Sequence, residues 1–97
     1  MLVRLLYVSR AVKLDDTQAT ESILASARAY NLSHGITGIL CYGGGLYLQA
    51  LEGGRNQVNA LYNQIVRDDR HKDVVLLDYE EISERRFSGW KIGRAHV

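Results

Sequence analysis

Proline is absent from the 97 residues, and cysteine, methionine, tryptophan and phenylalanine occur once each. Without proline, low-complexity tracts or internal repeats, no stretch looks like a linker, so one fold is expected to use the whole chain. The single cysteine, Cys41, excludes an internal disulfide framework and a multi-cysteine zinc site and suits a reducing compartment, so a cytoplasmic location is expected. Charge of one sign is also lacking: 12 Lys and Arg against 11 Asp and Glu leave +1. That balance argues against a dedicated nucleic-acid binder, an acidic tail or a polybasic membrane patch. No apolar run is long enough to span a bilayer. The apolar N-terminus is broken at Arg4 and has no small-residue cleavage site, so it does not read as a secretory signal. The three histidines and one cysteine show no metal-ligand spacing, and no metal is expected. Residues 1–93 read as one domain. Residues 94–97 read as its C-terminal end, whether that is the end of a gene or a cut from a longer chain.

Leu2 to Ser9 is rich in Leu, Val and Tyr and predicts a strand with Val3, Leu5, Tyr7 and Ser9 on one face. Asp15 with Gln18 resembles a capping box. From it a helix runs through Ile23, Leu24, Ala27 and Tyr30, stopped by Gly35. Ile36–Tyr42 and Leu46–Glu52 predict two strands joined by Gly43-Gly44-Gly45 as a hairpin. Val58, Leu61, Tyr62, Ile65 and Val66 recur at helical spacing and predict a second amphipathic helix. Val74–Leu77 reads as a buried strand, extendable to Ile82, and a short piece around Trp90–Ile92 would be a further strand. The order β-α-β-β-α-β, with an optional fifth strand, predicts a ferredoxin-like α+β fold: a mixed sheet with two helices on one face.

Some polar residues fall where a core is expected. In the third strand Tyr47, Gln49 and Leu51 alternate with Leu46, Leu48 and Ala50, so both faces look covered and Gln49 reads as a buried amide. Such an amide needs hydrogen-bond partners. Neighbouring backbone groups could supply them; so could a ligand. The first and third strands are neighbours in this fold, so Tyr7 and Gln49 are expected to meet under the helices, hydroxyl to amide. Asn31, near the end of the first helix, reads either as a left-handed cap or as a third polar group on that slot. Three polar side chains converging in an apolar slot have the general form of a small-molecule site, suited to a flat heterocycle with amide-like edges. The other candidates have blander readings: Asp68-Asp69-Arg70-His71 as a solvated helix end, His34 and His96 as surface residues, Trp90 as core, Cys41 as a small buried hydrophobe. Gly43-Gly44-Gly45 lacks the Lys-Ser/Thr of a phosphate-cradling loop.

Several segments, in this order and spacing, resemble a known family: Leu6-Tyr7-Val8-Ser9-Arg10, Asn31 to Leu40 with Gly35-Ile36-Thr37-Gly38, Leu48-Gln49-Ala50-Leu51-Glu52-Gly53, Asp68-Asp69-Arg70-His71 and Arg85 to Trp90. Together, from about Leu2 to Ile92, they resemble a BLUF domain, the bacterial blue-light sensor that uses flavin. The resemblance implies a flavin held noncovalently between the two helices, FAD in the usual case, with FMN or riboflavin as alternatives. Tyr7 matches the tyrosine that gives an electron and a proton to the photoexcited flavin. Gln49 matches the glutamine that then changes its hydrogen bonds, by rotation or by tautomerisation, and Asn31 the asparagine that holds the polar edge of the ring. Ser9, Ile23 and Ile65 are expected along the flavin, with Asp68 and Arg70 near its pyrimidine side or ribityl chain. Trp90 and Ile92 fall at signalling positions. The resemblance further implies a red-shifted lit state that reverts in the dark.

It departs from the family at two places. The methionine often found two residues after the tryptophan is Ile92 here, so the proposed Trp/Met exchange lacks its thioether. Tyr30 precedes Asn31 and adds a phenol beside the slot. A sensor of this kind is not itself an enzyme. Its output would lie on another domain or protein, such as a cyclase, a cyclic-di-nucleotide phosphodiesterase or a transcriptional regulator. Dimerisation through helices after the core, a family habit, leaves a homo-oligomer open. Two other readings compete: a non-photoactive interaction domain of the same fold, and an acylphosphatase-like enzyme. The enzyme would need a Gly-Val-x-Phe-Arg phosphate loop, which the sequence lacks.

Overall fold

The computed structural model describes residues 1–12 and 17–94. The elements run β1 (Leu2–Ala11), α1 (Thr17–Ser33), β2 (Thr37–Gly43), β3 (Leu46–Gly54), α2 (Arg55–Arg67), β4 (His71–Ile82) and β5 (Trp90–Arg94). This is the ferredoxin-like order with the fifth strand present. The expected helix start at Asp15 lies outside the described residues. The second helix and the fourth strand extend beyond their predicted cores, because their termini carry no strong apolar signal.

The five strands form one sheet in the order β4-β1-β3-β2-β5. β1 and β3 are therefore central and antiparallel, and their register sets Tyr7 directly opposite Gln49. Directly paired residues share a sheet face, so both side chains point to the same side. The β2–β3 turn is built on Gly44 and Gly45, with φ of 58° and 77°. Two consecutive positive φ values are the requirement of a tight hairpin turn and favour glycine. Gly38 answers a different need: a Cβ there would collide with the Ala50 carbonyl of the adjacent strand.

The helix-side core falls into two groups. Val58 and Leu61 of α2 pack with Val3, Leu5 and Leu51 over the β1–β3 centre. Leu24 and Ala27 of α1 pack against Leu40, Tyr47 and Trp90 over the β2–β5 side. A slot is left between the helices, floored by the central strands.

The opposite sheet face differs from expectation. Leu46 and Leu48 are each 40% exposed, so the two faces of β3 are not equally covered. Val75 and Leu77 are likewise exposed, and so is Leu76, which pairs with Tyr7 on the helix side, because β4 is an edge strand rather than a buried one. An apolar run reports affinity for burial, not whether a covering layer is present. Cys41 is half-buried rather than buried. Among the described residues no helix is long and apolar enough to cross a membrane, and no cluster of His, Cys, Asp and Glu could hold a metal.

Candidate functional site

A cavity of about 210 Å³ opens between the helices. Each helix presents one face to it by i, i+3, i+4 spacing: Ala27, Tyr30 and Asn31 from α1, and Leu61, Gln64 and Ile65 from α2. Tyr7, Leu40, Tyr47 and Gln49 come up from the sheet, and Asp68, Arg70 and His71 close one end.

At the floor, the Tyr7 hydroxyl donates to Gln49 Oε1 at 2.5 Å, with both residues 4% exposed. The phenol fixes the sense of the amide. Its oxygen end faces Tyr7, so its two N–H donors are the end left for a ligand. Burial, followed by the neighbouring Tyr62, Asp68 and Tyr47, holds the Tyr7 phenol well above its ordinary pKa. A phenolate is thus strongly disfavoured, and a proton leaves this group readily only together with an electron.

Asn31 is fully buried, and neither its Oδ1 nor its Nδ2 has a hydrogen-bond partner. It does not cap the helix in the left-handed conformation: α1 continues to Ser33, and the positive φ falls on Gly35. The Asn31 backbone carbonyl already accepts from the amides of His34 and Ile36. Its side-chain amide is therefore not consumed by the turn. A buried amide with both ends open costs on the order of 1–3 kcal/mol per group, which a ligand edge offering a donor and an acceptor would offset.

At the cavity's end, Asp68 ends α2 and accepts from both the backbone and the guanidinium of Arg70. The Arg70 hydrogen bond holds the Asp68 carboxyl below the usual carboxylate range despite partial burial. Arg70 also reaches Ser22 of α1 at 3.3 Å and so bridges the two helices at the mouth. His71 is not part of a solvated helix end. It begins β4, its Nε2 contacts the Ile65 carbonyl and its Nδ1 the Ser9 hydroxyl at 2.7 Å. Because a carbonyl only accepts, Nε2 carries a proton, and in the neutral ring Nδ1 accepts from Ser9. Ser9 is buried behind His71 rather than on the cavity wall.

Ile65 lies on the wall, while the side chain of Ile23 is outside the described residues. Trp90 is buried under α1 with its indole Nε1 lacking a partner. Ile92 is largely exposed and away from the cavity. His71 and Tyr47 are wall residues that sequence reasoning passed over. Tyr47 carried a usable signal, standing two residues from Gln49 on the same strand face. The signal for His71 lay in tertiary contact alone.

The family model described as sensors of blue-light using FAD matches residues 2–93. The chain belongs to the BLUF family. Among BLUF relatives, photoactivated adenylate cyclase subunit alpha of Euglena gracilis is 43% identical over 84 residues, covering 87% of this chain and 8% of that protein. The blue light- and temperature-regulated antirepressor BluF of Escherichia coli (strain K12) is 33% identical over 87 residues, covering 90% of this chain and 22% of that protein. The dark-state structure of BlrB, a BLUF protein, superposes with a TM-score of 0.91 at 38% identity, covering 96% of this chain and 72% of that one. The chain thus spans only a small part of the curated relatives it matches. As a BLUF domain it is a flavin-binding blue-light photoreceptor module. The observed cavity fits the cofactor: its apolar walls suit a flat ring system, and the unpartnered Asn31 amide and the donor end of Gln49 suit a ring edge of carbonyls and N–H groups.

Proposed function

We propose that residues 1–93 form the sensor unit, that Tyr7 and Gln49 are its photochemical pair, and that Asn31 anchors a noncovalently held FAD. The observation that carries this reading is the buried Tyr7–Gln49 hydrogen bond on the floor of the cavity that also holds the open Asn31 amide. Flavin, when bound, supplies the absorption of blue light and an acceptor for one electron and one proton. Tyr7 is the donor of both. Its raised pKa keeps the proton on the phenol in the dark, and Gln49 Oε1 is the atom already holding that proton's hydrogen bond. Once the phenol ceases to donate, nothing fixes the sense of the Gln49 amide. Reversal exchanges a donor for an acceptor at no change of volume. An altered hydrogen bond to the ring would then shift absorption to the red.

Ile65, on the α2 wall of the cavity, would line the ring, and Asp68 and Arg70 would hold the polar end of the cofactor. Ser9 acts through His71, whose ring it orients. Trp90 and Ile92 sit on β5, the edge through which a change would leave the domain. The output would be borne by another domain or a partner protein. A cyclase, as in the Euglena relative, a regulator of transcription, as the antirepressor suggests, and a cyclic-di-nucleotide phosphodiesterase, as the cyclic-diGMP complex of the Klebsiella pneumoniae BLUF relative suggests, are forms its relatives point to. A homo-oligomer is compatible with either. The cytoplasm is the compartment proposed, where the lone Cys41 would stay reduced.

The test is the colour and the light response of the purified chain. A yellow preparation that releases flavin on acid treatment, and shifts reversibly to the red under blue light, is expected. A preparation that takes up no FAD on refolding would overturn the reading.

A further inference from the structure

Away from the flavin cavity, on the other face of the sheet, Glu52 is fully buried and its carboxylate is surrounded by donors. Oε1 accepts from the backbone amides of Phe87 and Arg86 at 2.8 and 3.0 Å. Oε2 accepts from Arg4 Nε and Nη2 at 2.9 and 2.6 Å and lies 3.1 Å from the Arg86 amide. Arg4 in turn pairs with Glu80 of β4 at 2.9 Å. Burial alone would raise the Glu52 pKa, but the two amides and the guanidinium outweigh it and hold the group below the usual range.

The reason for this arrangement lies in the topology. Residues 83–89 must carry the chain from β4 at one sheet edge to β5 at the other, across β1, β3 and β2. Four interstrand spacings amount to about 19 Å. Seven residues reach at most about 23–25 Å, so the segment has little slack although it bends along its course. Such a strap has no length to spare for a helix or hairpin of its own, so its amides must find partners elsewhere. Glu52 supplies the acceptors for two consecutive amides. Arg85 anchors the strap from the other side: it donates to Thr37 Oγ1 at 2.8 Å, to the Glu52 carbonyl at 3.0 Å and to the Gly35 carbonyl at 2.8 Å. The Gly89 carbonyl then accepts from Gly38 at 3.0 Å, and β5 begins at the next residue, Trp90.

We propose that Glu52 is a positioning residue: its carboxylate latches the 83–89 strap to β3 and so seats β5, with Trp90, against α1. Glu52 lies three residues from Gln49 on the same strand, so the strand that carries the photochemical amide also carries the anchor of the edge strand. This consequence for signalling rests on the sensor reading; the latch itself does not.

Glu52→Gln tests it. The substitution keeps the shape but replaces one acceptor oxygen by an N–H₂ that faces donors. Hydrogen exchange in the dark should show the amides of residues 85–94 exchanging about tenfold faster or more, the scale expected for losing hydrogen bonds to a charged group. Exchange at Tyr7 and Gln49 should be unchanged. Emission from Trp90, the one tryptophan, should shift to the red as the indole meets water. Unchanged exchange over 85–94 would overturn the proposal, as would a uniform acceleration across the whole sheet, which would make Glu52 a general stabiliser. If that variant fails to fold, Glu52→Asp keeps the charge but draws the carboxylate back from the Arg86 and Phe87 amides. It should loosen the same residues, and its failure to do so would equally overturn the latch. Blue-light difference spectra of the same samples separate the two readings. A local loosening without any red shift defeats the sensor reading alone, and a normal red shift without loosening defeats the latch alone.

Discussion

Replacing Asn31 by leucine should move stability and flavin affinity in opposite directions. Asn31 is fully buried, and both ends of its amide lack partners in the folded chain. Each such group costs about 1–3 kcal/mol relative to its hydrated state. Leucine is close to asparagine in size and carries no polar atom, so the cofactor-free protein should gain about 1–2 kcal/mol after some repacking cost. For a domain of this size that corresponds to a rise in Tm of roughly 4–8 °C per kcal/mol. Flavin loses two hydrogen bonds to the same change. At about 1–1.5 kcal/mol each, its Kd should weaken by roughly 30- to 150-fold. Thermal melts of the flavin-free protein and a titration followed by flavin fluorescence measure the two quantities separately. A variant that melts several degrees lower and binds flavin as tightly as the parent would refute the reasoning, because the amide would then serve the fold.

Tyr7→Phe removes one buried hydrogen bond, a loss on the order of 1 kcal/mol, and should retain flavin while showing no reversible red shift. A light-minus-dark spectrum like that of the parent would move the donor role elsewhere, with Tyr30 the first suspect. Gln49→Leu should remain folded and yellow but form no stable red-shifted state, and infrared difference spectra of the flavin carbonyl region would show whether any ring hydrogen bond still changes. Acid should destabilise the fold in a defined sense. The Glu52 carboxyl is held below its ordinary value of 4.5, so its contribution is fully present above that pH and is lost as the pH falls through the lower, folded value. Urea melts across this range should show the loss, and a slope unchanged in Glu52→Gln would assign it to other carboxyls.

The sequence carried the parts of this molecule that depend on period and order. Alternation in β1 and β3 places Tyr7 and Gln49 on one face, and the ferredoxin-like order makes their strands neighbours, so their contact is legible in the sequence. Hydropathy does not say whether a face is covered, and so Leu46, Leu48 and the apolar stretch of β4 read as buried although they are exposed. His71 was hidden for another reason. Its partners, Ser9 and the Ile65 carbonyl, lie in two different elements, and its local context of adjacent charges suggested solvent. Glu52 is the same case in stronger form. Its burial depends on amides 34 and 35 residues away, which no local pattern announces.

The position of Gln49 in the middle of the sheet also separates two clocks. β3 is paired on both sides, to β1 and to β2, whereas β5 is paired on one side only, to β2. A doubly paired strand resists slipping, so any change at Gln49 falls to its side-chain torsions, whose elementary hops take about picoseconds to nanoseconds where packing allows. Displacement of a five-residue edge strand with its strap is a collective motion, and such motions run on roughly the microsecond to millisecond scale. On the reading proposed above, the domain would register an event quickly and report it slowly, and the effect of a photon would have to persist in the Gln49 amide long enough for the edge to respond.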